Sequence, residues 1–235
     1  MSTVTTDPTT SAVLRTATST ETPFRRAGGL CLVAAAVCML AGAIIWAPTG
    51  VDFDAAVEQG TATALLADVD ASRGALQVTF LLWILATPFF AAAGGLLRRA
   101  HHGSPAGVAA GSLMVFGAGI ALIAFVGFET MTTAMAPLHD SISHELATTV
   151  SHLTSRLDWI ATIAIIGVPP ALLSAANREV WPRWIQVLGF LAPLTAMLTA
   201  TAMVTGSGLT TYGFLLVPVG LVWAIAAGIR LARSA

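Results

Sequence analysis

Apolar and polar positions alternate along this chain in long blocks rather than residue by residue. Six apolar stretches, near residues 27–48, 75–97, 106–128, 158–176, 184–205 and 211–232, are separated by more polar connections of unequal length. About 20 apolar residues rising 1.5 Å each cross roughly 30 Å of hydrocarbon, so each stretch predicts a transmembrane helix. Barrel strands are excluded, because the stretches lack a two-residue alternation and lipid offers no partner to unpaired backbone groups. A second pattern precedes the fourth span: Ile142, Leu146, Val150, Leu153, Leu157 and Ile160 recur at steps of four, four, three, four and three. That is the period of an amphipathic helix. With Asp140 or Ser141 as its cap, it predicts an external helix that runs without a break into span four. The expected fold class is all-α, a polytopic transmembrane bundle of six helices with this external amphipathic helix continuous with span four.

Residues 1–24 are dense in Thr and Ser and almost without apolar side chains, which predicts a disordered cytoplasmic tail. Residues 25–235 form the six-helix transmembrane domain. Arg25 and Arg26 before an apolar run also suggest a secretory signal. The run to Pro48 is too long for one and no small-residue cleavage site follows, so it is expected to remain as the first span.

Composition agrees. Of 235 residues 56% are hydrophobic and 10% charged, and the mean hydropathy is +0.81, too apolar for a water-soluble fold. Net charge is −1, and all 11 basic residues are arginine. The absence of lysine excludes a lysine Schiff base, a P-loop and any catalytic lysine. With the N-terminus inside, nine arginines are cytoplasmic and only Arg73 and Arg156 external. Asp52, Asp54, Glu58, Asp68, Asp70, Glu129, Asp140, Glu145 and Asp158 then lie at or beyond the external boundary. Both patterns fit one topology in the plasma membrane, N-terminus and C-terminus cytoplasmic. Trp46 and Trp159 are expected at the outer rim, Trp181 and Trp184 at the inner rim, and Trp83 and Trp223 in packing.

Helices in lipid approach closely through small residues. Gly107 and Gly111 in span three, and Gly220, Ala224 and Gly228 in span six, form either seams within the bundle or an oligomer face. Pro88, Pro169, Pro170, Pro193 and Pro218 interrupt spans, either as packing kinks or by freeing carbonyls to line a cavity. Cys31 and Cys38 lie about 10 Å apart along one helix, too far to bridge, and read as packing thiols.

Candidate chemistry concentrates at the external rim. No ionisable side chain falls near the middle of a predicted span, which disfavours a proton-driven transporter. His101, His102, His139, His144 and His152 all fall in connections or on the external helix, against an intramembrane bis-histidine haem. Glu129 and Asp158 are the candidate catalytic carboxylates, and His139, His144 and His152 the candidate ligands for a metal such as zinc or copper. The polar side of the external helix carries His144, Thr148, Ser151, His152 and Ser155 and reads first as a solvated face, since His144 and His152 are about 12 Å apart along it. The acidic first loop lacks the glycine and terminal glutamate of an EF-hand and reads as a solvated connection.

Ala64-Leu65-Leu66-Ala67-Asp68 leading through Ser72-Arg73 into span two, Gly95-Leu96-Leu97-Arg98-Arg99 at its end, and Trp181-Pro182-Arg183-Trp184 with Leu188-Gly189 opening span five resemble a family of small, uncharacterised bacterial integral membrane proteins, chiefly actinobacterial, defined by a domain of unknown function. The resemblance implies six helices in the plasma membrane and carries over no catalytic residue and no cofactor. The leading functional expectation is a non-enzymatic membrane component that binds a protein partner or a small apolar molecule in the outer half of the bundle. Two alternatives stand beside it: an intramembrane enzyme for a lipid or isoprenoid, and a facilitator without proton coupling. No nucleic-acid partner is expected.

Overall fold

The computed structural model describes residues 8–205 and 210–233, excluding the side chains of residues 8–21, 57, 58, 203 and 210–216. The first seven residues of the Thr/Ser-rich segment and the side chain of Glu58 therefore lie outside the described residues. Every described element is helical: α1 (Pro8–Trp46), α2 (Phe53–Gln59), α3 (Ala62–Ala71), α4 (Arg73–Ala100), α5 (Pro105–Thr130), α6 (His144–Thr162), α7 (Pro169–Ala176), α8 (Arg183–Thr205) and α9 (Thr210–Arg233). A π-helical turn, Met131–Met135, extends α5, and a second, Ile163–Gly167, joins α6 to α7. Among the described residues five segments are long and apolar enough to cross a membrane: Thr22–Thr49, Arg73–Ala100, Pro105–Leu138, His144–Ala176 and Arg183–Ala202.

The long helices close a ring. α1 packs on α4 and α9, α4 on α5, α5 on α6 and α7, α7 on α8, and α8 on α9. Glycines set the closest crossings. A Cβ on Gly111 would stand 2.5 Å from the carbonyl oxygen of Gly94, and one on Gly94 would stand 2.7 Å from that of Gly111. Gly29 of α1 and Gly228 of α9 meet in the same way, at 2.5 and 2.6 Å. Gly220 faces Ile166, Gly107 faces His101, and Ala224 is buried. The small residues read from the sequence as seam or oligomer face thus all meet neighbours within the chain.

Pro169 and Pro170 have no N–H for the carbonyls of Ile165 and Ile166, and the helix above them widens into its π turn, closed by Val168 N–H donating to Ile163 O at 2.9 Å. Many large apolar side chains point outward, among them Ile44 (65% exposed), Phe116 (61%) and Ile123 (62%). Such a surface is costly in water and is compatible with an integral membrane protein.

The helix before span four departs from expectation in its cap and its facing. Ser143, not Asp140 or Ser141, caps α6, its Oγ accepting from Leu146 N–H at 3.3 Å. Leu146, Leu153 and Ile160 point outward, whereas Ala147, Ser151, Thr154, Ser155 and Trp159 are buried. The small polar side chains allow close approach to α5, where Gly127 lies under Thr154. The polar face is therefore split: Ser151 and Ser155 turn inward, and His144 and His152 remain exposed.

The acidic first loop is also not simply solvated. Phe53 and Ala56 of α2, with Val51 just before it, are buried, and Leu65, Leu66 and Val69 bury one side of α3, so both short helices fold back over the end of the bundle. Two tryptophans read as rim anchors, Trp159 and Trp181, are buried at 3% and 4% exposure, while Trp184 is exposed.

Candidate functional site

Besides its buried apolar side, α2 is tied to α6 through the Asp54 carboxylate. Gly50 and Gly60 flank it with φ of 68° and 67°, left-handed conformations that glycine adopts without strain, and a Cβ at either would meet nothing within 4 Å. Between them Asp54, partly buried, accepts a hydrogen bond from Ser155 Oγ and another from Trp159 Nε1 at 2.9 Å. Ser155 and Trp159 are four residues apart, one above the other on α6.

Beneath this latch lies a cavity of about 570 Å³, bounded by the C-terminal end of α1, the turn Ala47–Thr49, α2, and the facing sides of α4, α5 and α6. Its walls are mostly apolar: Ala43, Ile44, Val51 and the rings of Trp46, Phe53, Trp83 and Phe128. The rings belong to a continuous aromatic cluster. Trp46 meets Trp83 edge-on at 6.0 Å, Phe53 lies 4.7 Å from Phe128, and Phe80 stacks on Phe128 at 5.3 Å and 12°. Trp83 is fixed by its Nε1–H donating to the Met39 carbonyl at 3.0 Å.

The polar groups of the cavity are acidic: Asp52, Asp54 and Asp158 line it, and no arginine or histidine does among the described residues. Asp158 also borders a small apolar pocket one layer deeper, beside Phe90, Phe125, Ile165 and Leu221. It stands near the middle of the helical segment His144–Ala176, with its side chain turned to the cavity between the helices rather than to a solvated face. Asp158 follows Leu157 and precedes Trp159 and Ile160, so the sequence read as a boundary; the downward extension of the cavity brings it inside. Its carboxylate accepts no hydrogen bond from the described residues. Asp158 is partly buried, and a carboxylate drawn away from bulk water is stabilised as its charged form by an opposite charge placed beside it.

The other sequence candidates do not gather here. Glu129 is partly buried at the end of α5, with Oε2 buried and unpaired, and Arg73 supplies an opposite charge to it while donating to the Thr133 carbonyl at 3.4 Å. Phe128, not Glu129, faces the cavity. His139 is held by the Ala136 carbonyl at 2.9 Å and lies 3.5 Å from Asp140, and His144 meets Thr148 on its own helix, away from the cavity. Among the described residues no three His, Cys, Asp or Glu side chains converge as a metal site. At the opposite end, His101 is buried, bonded to Leu97 O at 2.9 Å and to the Asn177 side chain at 3.1–3.2 Å, and pins the end of α4 to the end of α7.

Sequence reasoning missed Asp54, Ser155 and Trp159 as a unit. The available signal was the apolar content of the acidic loop: Val51, Phe53, Ala55 and Ala56 are not what a solvated connection requires. Compared with family models, curated proteins and solved structures, the chain matches none.

Proposed function

We propose that the chain is a multi-pass protein of the plasma membrane, with six spanning helices and both termini cytoplasmic, that binds a small apolar molecule in the cavity at its external end without transforming it. The observation that carries this reading is the cavity of about 570 Å³, apolar and aromatic over most of its wall and roofed by α2. Its size and lining fall in the range of ligand sites, which run from roughly 300 to 1,000 Å³ with few polar groups. α9, 24 residues long and packed on α1 and α8, supplies the sixth span of this reading. The outward apolar face of α6 supports its lying in lipid over much of its length rather than projecting into water.

Saturable binding of the neutral probe 1-aminoanthracene to purified protein tests the reading. Wild type should show it and Ala43→Trp, which fills the cavity, should lose it. Equal binding by both proteins, or no saturable component in either, would refute the proposal. Orientation is tested with Cys31 and Cys38 replaced by alanine and one cysteine introduced at exposed Gln59 or His102. An impermeant maleimide on intact cells should label the Gln59→Cys protein and spare His102→Cys until the cells are opened.

A further inference from the structure

We infer that the molecule bound in the outer cavity is an organic cation: an apolar body carrying a positively charged nitrogen, an amine or quaternary ammonium, seated between Asp158 and the rings of Trp46, Trp83 and Phe128. The inference rests on the reading of the cavity as a binding site and adds the charge of its ligand. Three independent features agree. The walls supply carboxylates and no described cationic side chain. Asp54 already has its donors in Ser155 and Trp159, whereas Asp158 accepts none, so one carboxylate is left for something from outside the chain. The aromatic faces around it attract a cation through their quadrupoles, an interaction strengthened away from water. An anionic ligand would meet like charge from Asp52, Asp54 and Asp158. A neutral apolar ligand would leave Asp158 unmatched.

The test uses the full chain in nanodiscs of zwitterionic lipid and three ligands of one shape: 4-phenylbutyltrimethylammonium, its neutral analogue with carbon in place of nitrogen, and the corresponding sulfonate. Binding is read from tryptophan fluorescence, since Trp46 and Trp83 line the cavity. The ammonium compound should bind at least about tenfold more tightly than the neutral analogue, and the sulfonate more weakly than either. Asp158→Asn should bring the ammonium affinity down to that of the neutral analogue and leave the neutral affinity unchanged. Equal wild-type affinity for cation and neutral analogue, or preference for the sulfonate, overturns the cation inference while leaving the apolar site standing. No saturable binding of any of the three overturns both. The comparison among ligands on wild type stands alone if Asp158→Asn does not fold, and an Asp158→Asn protein that folds and keeps the full preference for the cation also overturns the inference.

Discussion

The contact between Asp54 and α6 is where the geometry makes its most quantitative commitment. Asp54→Ala removes the acceptor of two hydrogen bonds and leaves Ser155 Oγ and Trp159 Nε1, both on buried residues, without it. A hydrogen bond to a charged group contributes about 1.5–3 kcal/mol. Asp54 is partly exposed and water replaces some of the loss, so the lower end applies, about 3 kcal/mol for the pair. A chain of this size loses roughly 2–4 °C in Tm per kcal/mol, giving an expected fall of about 6–12 °C. Thermal unfolding in mild detergent, followed by tryptophan fluorescence, reads it directly. Trp159→Phe keeps most of the ring and loses one bond, so it should show about half the effect, and a double-mutant cycle with Asp54→Ala should give a coupling of about 1–2 kcal/mol. A fall of less than about 2 °C for Asp54→Ala, or strict additivity with Trp159→Phe, would refute the claim that this carboxylate holds α2 in place.

Four further outcomes follow from other parts of the molecule. Gly50→Ala and Gly60→Ala should each destabilise by about 1–2 kcal/mol from backbone strain alone, whereas Gly95→Ala, at an open helical position, should be neutral or gain up to about 1 kcal/mol; chemical denaturation compares the three. Gly111→Ala places a methyl group against the Gly94 carbonyl and should cost more than about 2 kcal/mol by prising α4 from α5, visible as a Tm fall several times that of any exposed alanine substitution. His101→Leu strips Asn177 of its buried partner and should cost about 1–3 kcal/mol, again by melting temperature. His144→Ala and His152→Ala, both at exposed positions, should stay within about 0.5 kcal/mol of wild type, and their metal content by elemental analysis should equal that of the parent.

The all-helical class and the rough helix positions were legible because length and hydropathy largely decide them: five of the six expected spans coincide with long apolar helical segments among the described residues. The amphipathic period of residues 142–160 was legible too, but not its sense. Periodicity identifies a face without saying which solvent it meets, and Leu146, Leu153 and Ile160 point away from the protein because apolar surface there is compatible with lipid. The glycine seams were readable as small faces, yet which glycine meets which depends on crossing points that no local pattern contains. Asp158 was read beside Glu129 from their shared boundary position, 29 residues apart; in the structure it lines the cavity together with Asp54, 104 residues away, and Glu129 does not line it. That pairing comes from the way Phe53 and Val51 draw the acidic loop onto the bundle, a tertiary event that charge counting alone reads as solvation.

The π-helical turn at Ile163–Gly167 gives the site an evolutionary handle. Such a turn amounts to one surplus residue in an α-helix, and one residue corresponds to about 100° of rotation. Deleting a residue there would restore regular pitch and swivel everything upstream, carrying Asp158 off the cavity wall and presenting a neighbour in its stead. The chemistry of the pocket can thus be rewritten by a single indel more than one turn below it, with every residue of the lining itself unchanged.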